Sequence, residues 1–62
     1  MNGFRWKICW RLKPEYRNGT RSSRRFVVYQ YRKGYPKAAE LRALAKRNPQ
    51  YEFRVYRIGE GC

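Results

Sequence analysis

From Phe4 to Lys13 apolar and polar side chains alternate without a break. Phe4, Trp6, Ile8, Trp10 and Leu12 fall on one side, and Arg5, Lys7, Cys9, Arg11 and Lys13 on the other. A period of two belongs to a β-strand with one buried and one wet face, since a helix would scatter these residues round its axis. Both tryptophans lie on the apolar side, so residues 4–13 predict the central strand of a sheet. Residues 14–24 are polar, carry Pro14, Asn18, Gly19, Ser22 and Ser23, and predict a basic loop. Residues 25–32 are rich in β-branched and aromatic side chains and predict a second strand. Its facing has two solutions one residue apart. The favoured one turns Phe26 and Val28 inward and Tyr29 and Tyr31 toward the basic side, and a single-residue slip reverses it.

A helix is predicted over 36–47. Pro36 suits its first position, Ala38, Leu41, Leu44 and Ala45 form a thin apolar stripe, and Lys46 and Arg47 suit its last turn. Asn48 and Pro49 stop it. Residues 51–58 predict a third strand with Phe53 and Val55 inward and Arg54 and Tyr56 opposite, followed by a flexible tail, 59–62.

The order strand, strand, helix, strand predicts one α+β domain over 1–62, β-β-α-β. The helix links the second and third strands by a crossover, which leaves the first strand between them. The expected sheet is three-stranded and antiparallel in the order 2-1-3, with the helix on one face. Trp6, Ile8, Trp10, Phe26, Val28, Leu41, Leu44, Phe53 and Val55 would meet there. No element is left for the other face. It would show Arg5, Lys7, Cys9, Arg11, Tyr29, Tyr31, Arg54 and Tyr56 to solvent, or to a second copy of the chain, giving a monomer or a homodimer.

Charge changes what that second face means. Sixteen Lys and Arg oppose four Asp and Glu, a net charge of +12, with no His. Self-repulsion at this density disfavours compaction and points to polyanionic partners. Catalysis is not expected. The four acids, Glu15, Glu40, Glu52 and Glu60, are spread over loop, helix, strand and tail, so no carboxylate pair is implied. Phosphate-loop, dinucleotide and metal-ligand spacings are absent, so no cofactor is expected. The two cysteines, Cys9 and Cys62, have no warrant for pairing in their spacing and are expected as free thiols. With no leader and no apolar run of spanning length, the expectation is a cytoplasmic protein that does not enter a membrane.

Arg and Lys neutralise phosphates while aromatic rings stack on bases, and a sheet face can do both. The sequence therefore predicts a nucleic-acid-binding protein, for DNA or RNA. The candidate contacts are Arg5, Lys7, Arg11, Arg17, Arg21, Arg24 and Arg54 for phosphate, and Tyr29, Tyr31 and Tyr56 for base or sugar. The alternative is a regulator that docks on an acidic surface of a protein machine.

The run Phe26–Tyr29, the helical Ala38, Ala39, Glu40 and Leu41, and the stretch Tyr51–Val55 together resemble the small early, host-takeover proteins encoded by phages. In length and element order the chain is similar to podophage inhibitors of bacterial RNA polymerase. The resemblance implies a small phage-type α+β fold that binds and blocks a host enzyme, such as RNA polymerase, a nuclease or a defence complex, in the host cytoplasm. Those inhibitors present an acidic working surface where this chain is basic, so the fold carries over better than the target.

Overall fold

Among the residues that a computed structural model describes, 3–17 and 24–62, lie three strands, one α-helix and a short 3-10 turn. Strand β1, Trp6–Leu12, lies between β2, Val27–Arg32, and β3, Tyr51–Arg57, and is antiparallel to both. The order β2-β1-β3 is the expected one, and helix α1, Ala38–Arg47, makes the crossover. Backbone bonding carries the ladder past both ends of β1. Arg5 N donates to the Arg32 carbonyl (3.1 Å), Ile58 N to that of Arg5 (2.9 Å), and Lys13 N to that of Gln50 (2.9 Å). Among the described residues no helix is long and apolar enough to cross a membrane.

Register decides the faces, because directly paired residues point the same way. On the first face Trp6, Ile8, Trp10 and Leu12 stand opposite Arg57, Val55, Phe53 and Tyr51 of β3. Trp10 gathers Tyr29 (4.5 Å between ring centroids), Tyr51 (4.6 Å) and Phe53 (5.8 Å). Such ring contacts supply packing that the helix cannot, since none of its residues is fully buried and Leu41 and Leu44 are only half-buried. The fold is correspondingly flat, 39 × 24 × 14 Å.

The helix is held to the sheet at its first turn, where Arg32 of β2 forms a two-point ion pair with Glu40. Asn48 ends it by donating both its backbone and its side-chain N–H to the Leu44 carbonyl (3.0 Å each). Pro36, expected as its first residue, lies two positions before Ala38 and is fully buried, while Tyr35 sets its ring edge-on to Trp6 at 4.9 Å.

Strand β2 departs from the expected facing. Ile8 pairs with Gln30 but Cys9 pairs with Val28, so Tyr29 is the extra residue of a β-bulge. An unbulged ladder would have set Tyr29 opposite Cys9 and Val28 opposite Trp10, which is the facing the alternation suggested. The bulge moves every residue before it to the other side. Val27 now stands opposite Trp10, Val28 opposite Cys9, and Tyr29 joins Trp10 and Phe53 on the first face. Phe26 crosses to the second face, under the guanidinium groups of Arg11 (4.4 Å) and Arg54 (4.8 Å). Phe26 and Val28 are thus not part of the core beneath the helix.

The second face is not bare. Cys9 and Cys62 form a disulfide across 53 residues, in place of the expected free thiols. Residues 59–62, expected to be a flexible tail, turn back with Glu60 N donating to the Arg57 carbonyl (2.9 Å) and are fastened at Cys62. Gly61, at φ +74°, lies against the Tyr56 ring, where a β-carbon would fall 2.6 Å from ring carbons, so glycine alone fits. Beneath this cover Cys9, expected to face solvent, is 0% exposed and shares the buried centre of the sheet with Ile8.

Candidate nucleic-acid interface

The second face has two ends, separated where the tail crosses Cys9. At one end stand Arg11 of β1 and Glu52 of β3, paired across the ladder. Arg11 Nε donates to the Glu52 carboxylate (2.9 Å), Nη1 to the Arg24 carbonyl (2.8 Å), and its guanidinium lies on Phe26. Two of its guanidinium nitrogens and one ring-facing side are thus engaged within the fold. Arg54 also lies on Phe26 and donates to the Tyr56 hydroxyl (3.4 Å), which raises its pKa above the ordinary arginine value. This end is packed, and the Glu52 carboxylate offsets part of its charge.

The other end is open. Tyr31, Lys7 and Tyr56 form one row across β2, β1 and β3. Tyr56 lies under Gly61, but Tyr31 is 50% exposed and stacks on Phe4, with ring centroids 5.9 Å apart and planes inclined by 23°. Phe4 was expected on the apolar face with Trp6. It lies instead beside Tyr31, just beyond the start of β1 and next to Gly3, whose φ is +78°. Arg5, hydrogen-bonded into the same ladder, is exposed, and Lys33 is exposed just past the end of β2. Among the described residues none of Arg5, Lys7 and Lys33 has a carboxylate partner, because the ion pairs there are Arg11–Glu52 and Arg32–Glu40.

The ten residues that sequence reasoning singled out therefore separate. Arg5, Lys7 and Tyr31 come together at the open end. Arg11, Arg54 and Tyr56 share the same face but are engaged by neighbours or the tail. Tyr29 turns to the opposite face because of the bulge. Arg17 follows a 3-10 turn, Pro14–Tyr16, and points back into the fold, where Nε donates to the Leu12 carbonyl (3.1 Å). Its Nη2 is buried and has no hydrogen-bond partner among the described residues. Arg24 is exposed and lends its carbonyl to Arg11. Arg21 lies outside the described residues.

Two participants were missed. Phe4 was placed on the apolar side of the strand by its alternation, which carries no sign that the regular strand begins only at Trp6. Lys33 falls just past the predicted strand 25–32 and was not singled out, although a lysine next to Gly34 at a sheet edge is an accessible cation. The arrangement offers cations beside an exposed ring. No cluster of His, Cys, Asp or Glu suited to a metal ion is present among the described residues. The tail occupies the middle of the face that a sheet-to-sheet homodimer would use. Comparison with protein-family models, with curated proteins and with solved structures finds no match for this chain.

Proposed function

We propose that this chain is a small non-enzymatic protein that binds nucleic acid at the open, basic end of its second sheet face. The observation that carries the reading is the placement of Arg5, Lys7 and Lys33, without carboxylate partners among the described residues, around the half-exposed ring of Tyr31 in a chain of net charge +12. Arg5 and Lys7 lie two positions apart on an extended chain, roughly 7 Å, a distance similar to that between successive phosphates of a strand. Cations supply sequence-independent affinity for phosphate, and the ring supplies a surface for a base or sugar. The four glutamates give no acid–base pair to set against this, since Glu40 and Glu52 are each held by an arginine.

The Cys9–Cys62 bridge favours an oxidising compartment, where such bonds persist, over the cytoplasm. The tail fastened by that bond lies against Tyr56, on the far side of Lys7 from Tyr31.

Fluorescence anisotropy with labelled oligonucleotides over a salt series tests the reading. About three to four phosphates met at once give a slope of log K on log salt near −2 to −3 for a single strand. Arg5→Ala and Lys7→Ala should each reduce that slope by about one unit. Absence of binding at low salt would overturn the proposal.

A further inference from the structure

The geometry points to unpaired nucleobases as what the open end recognises, with Tyr31 as the stacking ring and single-stranded nucleic acid as the ligand class. This rests on the reading above and goes further, because phosphate neutralisation alone does not distinguish single strands from duplexes.

Three features of Tyr31 set it apart from the other tyrosines of the sheet. Tyr29 and Tyr51 pack on Trp10, and Tyr56 is covered by Gly61. Tyr31 is 50% exposed, yet it is not loose: Phe4 stacks on it at 5.9 Å with nearly parallel planes. A ring backed by a second ring is pre-positioned, so less rotamer freedom is lost when a base lies against it. Lys7 stands directly opposite Tyr31 in the ladder, and Arg5 follows on the same strand. A cation one strand away from a stacking ring suits a nucleotide whose base and phosphate must be met together.

A duplex suits this end poorly. Its bases are stacked on each other and present only their edges in the grooves, so a ring standing on a sheet face has no base surface to meet. A single strand can lay a base on the ring while its phosphates follow Arg5, Lys7 and Lys33.

The test compares three labelled ligands of equal length in anisotropy titrations at one salt concentration: a single-stranded oligonucleotide, its abasic counterpart with the same phosphates, and a duplex. Stacking of one base contributes roughly a ten-fold preference for the base-bearing strand over the abasic one. Tyr31→Ala should abolish that preference without changing abasic binding. Tyr31→Phe should keep it, and Lys7→Ala should weaken base-bearing and abasic strands alike. Circular dichroism of each variant separates a lost contact from a lost fold. Equal binding of abasic and base-bearing strands by the wild type, or a duplex bound as tightly as the single strand, overturns the stacking inference while leaving nucleic-acid binding intact. Failure to bind any of the three overturns both.

Discussion

Removing the bond between Cys9 and Cys62 should cost this domain much of its stability. The bridge closes 53 residues of a 62-residue chain, so it restrains nearly the whole unfolded ensemble. In the chain-entropy treatment a loop of that length corresponds to about 4 kcal/mol at room temperature. A domain of this size has a total stability of about 3–9 kcal/mol. The structure gives further reason for the dependence: among the described residues only Ile8, Cys9 and Pro36 are fully buried, and the helix buries no residue completely. Cys62→Ser is the suitable variant, because Cys62 is exposed and a serine there introduces no buried hydroxyl, whereas Cys9→Ser would place one at a 0% exposed site. Urea unfolding followed by tryptophan fluorescence, with and without a dithiol reductant, measures the effect. With a urea dependence near 1 kcal/mol per molar for a small domain, the midpoint should fall by about 2–4 M. The reduced wild type should coincide with Cys62→Ser. A variant that unfolds within about 0.5 kcal/mol of the oxidised wild type, or a wild type indifferent to the reductant, would refute this.

Gly61→Ala should lower stability by about 1–2 kcal/mol, because alanine is strained at φ +74° and its methyl group meets the Tyr56 ring; thermal unfolding under non-reducing conditions checks it. Arg11→Ala should destabilise by about 1–2 kcal/mol through loss of the Glu52 pair and the Phe26 contact, while changing the salt slope of binding less than Lys7→Ala does. The hydrogen bond from Arg32 holds the Glu40 carboxyl below its ordinary value, so the ionised pair favours the folded state above the unfolded glutamate pKa of about 4.3 and that contribution is lost as pH falls through the lower folded value. Glu40→Gln should therefore be less stable than wild type at neutral pH, and the two should converge on acidification in parallel urea melts.

Much of the fold was legible because β1 is unambiguous. Trp6, Ile8, Trp10 and Leu12 alternating with Lys7, Cys9 and Arg11 allow a single facing, which Phe4 ahead of the strand does not share, and a strand that apolar belongs between two partners. The facing of β2 was not legible in the same way. In Val27, Val28, Tyr29, Gln30 and Tyr31 both registers offer apolar side chains to the core, and nothing local marks the bulge at Tyr29. What decides it is tertiary: the bulge lets Tyr29 complete the cluster round Trp10 and lets Phe26 lie between two arginines. The disulfide was hidden for a related reason, since pairing depends on the approach of two β-carbons, not on their separation in the chain. A faint signal was present in the even count of cysteines and in the glycines flanking Glu60, which allow a sharp return of the chain. For the site, charge and alternation located Arg5, Lys7 and Tyr31. They could not show that Arg11 donates to Glu52 and to the Arg24 carbonyl, or that Arg17 turns inward to donate its Nε to the Leu12 carbonyl.

Backbone amide shifts during titration with a short single-stranded oligonucleotide test the central claim most directly, because they report position as well as binding. The account predicts saturable changes concentrated at Phe4, Arg5, Lys7, Tyr31 and Lys33, with Arg11, Glu52 and the residues round Trp10 nearly unmoved. Changes centred on Arg11, Arg17 and Glu52, or spread over the Trp10 face, would contradict it.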